Sequence, residues 1–456
     1  MARHYRLEVC ELPALDDLLS LHECNPRRYP FLAESAAHGT LQGRFDILFA
    51  FPGQWLRLNP GEPLAELPRG NLDFLDSLDS WWAQERAAAK PADQAWPFRG
   101  GWFVYLGYEL AGQVEPVLQL EDFPGMPAAF ACRIPAAVIR DRVTGRSVFL
   151  AEADSGIDAG IVLADLQGCG PVSAHSRILE GQIEEAPAEQ YLDAIRQAKE
   201  YIAAGDIFQA NLARSWRALL AKGVRGSDLY RRLRRSNPGP FCGLAEWDDW
   251  SIVSSSPERL LRLEAGRVET RPIAGTRPRG QHAEQDRALS LELIAHPKER
   301  AEHIMLIDLE RNDLGRICLP GTIEVNEMMV IETYAHVHHI VSNVRGMVRE
   351  AVTPGQAIRA VFPGGTITGC PKVRCMQIIA RLEAGPRGPY TGSMGYLNRD
   401  GSFDLNILIR TFVRRGRSLS FSAGAGIVAD SDPVAELEET RAKARGLINA
   451  IVGEDA

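Results

Sequence analysis

"WSIVSSSPERLLRLEAGRVETRPIAGT", residues 250–276, runs through strand, proline turn, strand, hairpin and strand with almost nothing in between. Pro257 cannot donate to a ladder and ends the first strand, while Gly266 supplies the positive φ of a tight hairpin. Glu258 directly follows Pro257, which puts a carboxylate at a strand end and not within a ladder. The third strand enters "ETRPIAGTRPRG", residues 269–280, with two prolines, two glycines and three arginines around Ala274. That segment reads either as a basic surface loop or as a rigid wall of an active site.

Working outward, residues 5–175 mix short apolar runs with Gly/Pro punctuation and Trp-containing loops, the pattern of an α+β region with antiparallel strands. "GGWFVYLGYELAG" (100–112) reads as a buried strand and turn, with Tyr105 and Tyr108 packing. A polar, acidic stretch then leads to Pro187 and a helix with Tyr191, Ile195, Ala198 and Ile202 on one face, closed by Gly205. The expected division is 1–185 and 186–456, since 456 residues exceed the usual size of one core. "DIFQANLARSW" follows as a strand with Gln209 and Asn211 on a common face, read by itself as an edge strand with a solvated side.

Two helices carry paired acids. In "HPKERAEHIMLIDLERNDLG", Glu299 and Glu302 are three apart and share a face; in "DSDPVAELEETRAKARGLINAIV", Asp432 caps the helix, Pro433 starts it, and Glu436, Glu439 and Lys443 form a stripe opposite Val434, Leu437, Leu447, Ile448 and Ile451. Such pairs are common decoration of a solvated face, but two of them facing each other could supply oxygens to Mg²⁺. "FPGGTITGCPKVRCMQIIARLE" sets a glycine loop before a helix with Pro371 in its first turn. Its free backbone amides suit an anion, although it is not a Walker A loop. "FSAGAG" ends a strand in Gly424, Ala425 and Gly426, and "FDLNILIRTFV" reads as an apolar strand carrying Arg410, whose guanidinium needs an internal carboxylate or an anionic ligand.

Composition narrows the class. Hydrophobic residues at 45% and charged residues at 24% describe a globular chain, and a net charge of −8 excludes a phosphate-tracking nucleic-acid binder. The arginines at 231, 232, 234 and 235 read as a solvated helix face. Eight scattered cysteines without C-x-x-C spacing predict neither a zinc site nor a disulfide framework. No signal-like or membrane-spanning run occurs, so the expected compartment is the cytoplasm.

Together, "PIAGTRPRG", "AEHIMLIDLERNDLG", "HVHHIVSNVRG", "FPGGTITGCPKVRCMQII", "GYLNRDGSFDLNILIRT" and "AGAGIVADSDPVAELEET" resemble the chorismate-utilising enzymes, which include anthranilate, aminodeoxychorismate, isochorismate and salicylate synthases. The resemblance spans about residues 188–450 and implies the α+β fold of anthranilate synthase component I. That fold has two face-to-face β-sheets, helices outside and an active-site cleft between subdomains. It further implies Mg²⁺ held by Glu302 and Glu439, with Glu299 and Glu436 assisting through water. Tyr390 and Arg410 would hold the enolpyruvyl carboxylate, and Gly275, Thr276, Thr366 and residues 424–426 would line the substrate. Glu258 would be the general acid, His339 would sit near the departing hydroxyl, and Lys443 would balance the carboxylates.

Members that use water as nucleophile resemble one another in having lysine at the position of Gln209, and an amide cannot serve as that base. Ammonia is therefore the expected nucleophile. "FQANL" and the Gly364-Gly365 pair resemble aminodeoxychorismate synthase component I, which serves 4-aminobenzoate and folate synthesis. "PIAGT" is instead the anthranilate synthase spelling, because enteric aminodeoxychorismate synthases resemble one another in having lysine where Ala274 stands. The main expectation is formation of 4-amino-4-deoxychorismate, and the alternative is anthranilate plus pyruvate. A non-catalytic chorismate- or tryptophan-binding scaffold is the remote reading. Without a G-x-C-x-G elbow, the ammonia is expected from a separate glutamine amidotransferase subunit. "FLAESA" around Ser35 and "SNPGPFC" with Pro240, Phe241 and Cys242 resemble the family's tryptophan pocket, with Ala33 departing from its pattern.

Overall fold

The ribbon at 250–276 forms as read. Its strands are Trp250–Ser256, Arg259–Glu264, Arg267–Thr270 and Ile273–Pro278, and Ala265 and Gly266 turn the hairpin with φ of 50° and 74°. At Pro257 the ribbon changes sheet. Trp250–Ser256 lies in a sheet of 12 strands, whereas Arg259–Glu264 lies in a second sheet of 10. The computed structural model describes residues 5–36, 43–61, 73–88, 91–170, 175, 177–334 and 337–453, and all strand pairs among them are antiparallel.

Strands Phe403–Asn406 and Thr411–Arg415 make the same crossing in the opposite direction. The first pairs with Arg259–Glu264 and the second with Trp250–Ser256. Arg410 therefore lies in the crossing and not within a strand as expected, and its φ of 54° is a left-handed value uncommon for a side-chain-bearing residue. Both sheets take strands from either side of residue 185: Leu7–Leu12, Phe31–Glu34 and Phe45–Ala50 join the first, and Gly101–Leu106 and Ala129–Ile134 join the second. The change in sequence texture there marks a connection between strands of shared sheets.

Apolar alternation places the layers. Phe31, Ile47, Phe49 and Ile252 of the first sheet meet Phe103, Tyr105, Phe130 and Met394 of the second in an apolar core, where the rings of Phe31 and Phe103 stack at 4.0 Å. The outer face of the first sheet is covered by helices Gly226–Ser236 and Pro433–Val452 through Leu229, Tyr230, Leu233, Leu447 and Ile451. That of the second is covered by Phe74–Glu85, Pro297–Gly315 and Pro354–Val361 through Leu78, Trp81, Ile307, Leu314 and Ile358. Two face-to-face sheets with helices outside are thus the architecture.

Several local readings are revised. Val434 is exposed and falls outside the apolar side of its helix, while Pro371 caps helix Lys372–Leu382 from the preceding position. Arg231 pairs with Glu23 at 2.5 Å, Arg232 donates to the His175 carbonyl at 3.0 Å, and Arg234 pairs with Asp17 and with Glu34, so three of the four arginines anchor the helix to its neighbours and only Arg235 is exposed. Gln209 is buried because its strand, Gln209–Leu219, has Ser418–Ile427 on one side and Gly369–Cys370 on the other. Among the described residues no helix is long and apolar enough to cross a membrane.

Phe31→Ala should cost about 3–5 kcal/mol, as expected for truncating a buried ring at the centre of the inter-sheet core, with the fold retained. Urea unfolding followed by circular dichroism measures it.

Candidate active site

The two crossings bring Glu258 and Arg410 to the same junction. The Ile407 amide donates to the Glu258 carbonyl at 3.0 Å, and the Ser255 amide donates to the Arg410 carbonyl at 3.1 Å. The Glu258 side chain is buried, and loss of hydration pushes its carboxyl up to about 8. The Glu310 charge adds to the rise, while the Thr366 hydroxyl, the Ile273 amide and the Lys443 charge oppose it. Glu258 is therefore a protonated acid at neutral pH. The Arg410 guanidinium forms no ion pair among the described residues; it donates to the Lys443 carbonyl, and burial lowers it to about 10. The internal salt bridge that could have explained this arginine is absent there, which leaves it available to an anion.

The wall at 269–280 is a strand with a bulge. Ile273 and Ala274 pair with Val341 and Ile340, the register slips at Gly275, and Thr276 resumes opposite His339. Gly275 takes φ of 66°, and a Cβ there would meet Glu299 Oε2 at 2.9 Å, so glycine admits both the bulge and the carboxylate. The Thr276 hydroxyl lies 2.9 Å from His339 Nδ1, with the Gly275 carbonyl at 3.3 Å. Burial lowers His339 to about 4, so its ring is neutral. Ala274 is buried. The three arginines are structural: Arg271 binds Glu327 and Glu332, Arg277 binds Glu292 and Glu299, and Arg279 binds Asp286.

Opposite this wall stands the strand Ser418–Ile427. Gln209 Nε2 donates to Glu302 Oε1 at 2.9 Å, and a Cβ on Gly426 would lie 2.2 Å from that nitrogen. Gly424 is equally constrained, since its Cβ would meet the Tyr390 hydroxyl at 2.8 Å. Lys443 Nζ binds Glu439 at 2.7 Å and donates to the Gly424 carbonyl at 3.0 Å. Burial raises the carboxyls of Glu302 and Glu436; the charges of Glu299 and Glu439 raise Glu302 further, and that of Glu439 raises Glu436. The acid pairs of the two helices thus feel one another and are more than decoration of solvated faces.

No group of three or more His, Cys, Asp or Glu side chains among the described residues is drawn together as a ready metal cage. The donor set nevertheless suits Mg²⁺, which takes one or two carboxylates and completes its shell with water or substrate oxygens. The mutual elevation of these acids marks a place where added positive charge is favourable.

Ser35, Pro240, Phe241 and Cys242 lie apart from these residues. Glu34 pairs with Cys242 across adjacent strands, so the two quoted motifs do meet. A cavity of about 910 Å³ opens beside them, but it is lined by charged Asp17, Glu34, Asp46, Arg140, Arg142 and Arg234 and touches none of those four. The sequence reading missed Glu310, Asp313 and Lys372: Lys372 pairs with Asp313 at 2.5 Å, and burial with the Asp313 charge raises the buried Glu310 carboxyl. The signal was available, because Glu310 and Asp313 continue the buried stripe of His303, Leu306 and Ile307 at helical spacing.

The sequence profile of the chorismate binding enzymes matches residues 52–449. This chain belongs to that family. It is a chorismate-utilising enzyme by descent and fold. It is 38% identical over 452 residues to anthranilate synthase component 1 of Aquifex aeolicus, covering 93% of this chain and 89% of that one. It is 36% identical over 450 residues to aminodeoxychorismate synthase component 1 of Bacillus subtilis, covering 93% of this chain and 92% of that one. The crystal structure of anthranilate synthase component I from Streptococcus pneumoniae superposes with a TM-score of 0.80 at 30% identity, covering 90% of this chain and 93% of that chain.

Gly426→Ala should push the Gln209 amide off Glu302 and lower turnover of chorismate on the order of 100-fold, the cost of about 1 Å of misplacement. Steady-state kinetics beside thermal melting will read this as a loss of kcat in a folded protein.

Proposed function

We propose that this chain aminates chorismate with ammonia delivered by a separate glutamine amidotransferase, and that the product is anthranilate. In balance, chorismate and ammonia give anthranilate, pyruvate and water. The observation that carries the amination is the pairing at Glu302: an amide, Gln209, stands there, and an amide cannot deprotonate water to make a hydroxide nucleophile. Ala274 presents no amine of its own from the bulged wall, so the nitrogen comes from solution or from the partner. The relatives named anthranilate synthase component 1 favour the anthranilate product over the one first expected from sequence.

Each group has a part in that reaction. Arg410 and Tyr390 take the enolpyruvyl carboxylate. Glu258, kept protonated by burial, gives its proton to the departing C4 hydroxyl, which leaves as water. Neutral His339, fixed by Thr276 and Gly275, accepts a hydrogen bond from or donates one to that hydroxyl and orients it. Gly424 and Gly426 let the backbone approach the ring, and Thr366, whose buried hydroxyl has no hydrogen-bond partner among the described residues, lines the substrate. Glu302 and Glu439, with Glu299 and Glu436 behind them, would hold Mg²⁺, which supplies an electrophile for the ring carboxylate when bound. Lys443 keeps Glu439 in place beforehand.

A second reading has its own support. Gln209-x-Asn211-Leu212 and Gly364-Gly365 resemble aminodeoxychorismate synthases, and the Bacillus subtilis relative carries that name. In that case ammonia adds at C2 as the C4 hydroxyl leaves as water, a second ammonia then adds at C4 as the C2 amine leaves as ammonia, and the resulting 4-amino-4-deoxychorismate keeps its enolpyruvyl group and serves 4-aminobenzoate and folate synthesis.

Incubation with chorismate, Mg²⁺ and ammonium, followed by mass analysis and fluorescence, separates the two. Anthranilate with stoichiometric pyruvate is expected, and an aminated product that retains the enolpyruvyl group would select the second reading. Activity should also fall as pH rises through about 8, because Glu258 must be protonated to act, and Glu258→Gln should reduce kcat roughly 100-fold or more. A pH–rate profile of both proteins checks this; a Glu258→Gln enzyme with the wild-type profile would remove Glu258 from the chemistry.

A further inference from the structure

Two cysteines from opposite ends of the N-terminal half meet where two short helices pack together. Cys24 ends helix Leu19–Cys24 and is the one exposed thiol of the eight, while half-buried Cys169 directly follows helix Ala159–Gly168. Each thiol reaches a carbonyl one turn before the other cysteine. Cys24 Sγ lies 3.9 Å from the Asp165 carbonyl oxygen, which also accepts the Cys169 amide at 2.9 Å. Cys169 Sγ lies 3.8 Å from the carbonyl oxygen of Ser20, which precedes Cys24 in its helix. The contacts are reciprocal, so the two sulfurs face each other across the helix pair.

The surroundings hold this geometry. Leu18, Leu21 and Val162 pack beneath the pair in the core that covers the first sheet. The Asp165 carboxylate is turned to Arg28 and to the Tyr29 hydroxyl, the latter at 2.7 Å, so it is not a third ligand for a metal between the sulfurs. Other cysteines lack such a neighbour or such access: Cys132, Cys242, Cys318 and Cys375 are buried, and Cys375 Sγ donates to the Gln209 carbonyl at 3.0 Å. Burial and the adjacent Cys24 thiol push Cys169 up to about 12, so Cys169 keeps its proton while Cys24 meets the solvent. An exposed thiol beside a shielded second one is the arrangement in which oxidation of the first is resolved by the second.

We propose that Cys24 and Cys169 form a reversible disulfide when the protein meets hydrogen peroxide. The Cys24 sulfur first attacks one peroxide oxygen; the O–O bond breaks, and a sulfenic acid and water result. The Cys169 sulfur then attacks the Cys24 sulfur; the S–O bond breaks, and the departing hydroxide takes the Cys169 proton and leaves as water. Two electrons pass from the thiols to the peroxide, and a small dithiol returns them. Because the two helices are already in contact, the bond clamps the existing arrangement. It closes a long loop of chain, which gives it its stabilising leverage. The clamp also reaches the charged cavity, since Asp17 accepts the Leu19 amide at 2.9 Å, pairs with Arg234 and lines that cavity.

The test uses the full chain, first reduced and then treated with a small molar excess of hydrogen peroxide. Its intact mass should fall by about 2 Da as two thiols become untitratable. A non-reducing protease digest should yield a peptide pair joined through Cys24 and Cys169. The oxidised chain should melt about 5 °C above the reduced one, and dithiothreitol should restore the lower melt. Cys169→Ser should lose the bond and accumulate a Cys24 sulfenic acid that dimedone traps, whereas Cys24→Ser should give neither product. A Cys24 sulfenic acid that persists in the unsubstituted chain, a bond to a different cysteine, or dimers linked through Cys24 would overturn the pairing. An unchanged melting temperature in the bonded chain would overturn the clamp.

Discussion

Two backbone hydrogen bonds at the sheet crossing constrain the rest of the molecule: Ile407 N–H to the Glu258 carbonyl and Ser255 N–H to the Arg410 carbonyl. They hold two antiparallel strands together where both leave one sheet and enter the other. Proline at 257 removes a ladder donor where the ribbon must bend. Arg410 takes a left-handed backbone conformation in the return strand, and Thr391, next to Tyr390, takes another with φ of 64°. Such residues persist only where the surrounding structure over-determines them. Here the surroundings are the two sheets themselves, so the stacked core of Phe31, Phe103 and Phe130 also fixes the distance between an acid and a guanidinium.

Electrostatics divide the site into two regions. Around Glu258 the cause of the raised carboxyl is chiefly loss of hydration, and the group carries a proton. Around Glu302 desolvation acts together with neighbouring carboxylates, but the Gln209 amide and Lys443 favour the ionised form, and the opening toward half-exposed Glu439 gives access to water and cations. A proton donor and a cation-attracting cluster therefore coexist, and the Lys443 charge acts on both Glu258 and Glu302. Neutral His339 stands between these roles, since a charged imidazole would repel both Arg410 and Lys443.

Much of the architecture was legible in the sequence, because it rests on local signals. Pro257, the Gly266 hairpin, the capping Asp432 and the spacing of Tyr191 and Ile195 each report a short-range preference, and each element formed where its signal stood. What failed were long-range matters. Arg410 read as mid-strand because "FDLNILIRTFV" is continuously apolar; the break arises only when its two halves pair in different sheets. Gln209 read as solvated because one sequence cannot show that Gly369–Cys370 will pair on the far side of its strand. The arginines of helix Gly226–Ser236 read as a wet face because Glu23, Asp17 and Glu34 lie some 200 residues away, at separations of 208, 217 and 200.

The glycines draw these observations together. Gly426 gives room to the Gln209 amide, Gly424 to the Tyr390 hydroxyl, Gly275 to Glu299, and Gly365 to Glu310; each faces a polar side chain across a gap that a single methyl would close. Turn geometry requires only Gly275 among them to have positive φ. The other three are required by proximity, and proximity is what a site built from side chains of two sheets and two helices must secure without an intervening layer of packing. The Gly-rich motifs thus mark where polar groups from separate elements are brought to contact distance, which explains why each motif looked weak alone. Each supplies one wall, and only the crossing of the two sheets makes the walls face one another.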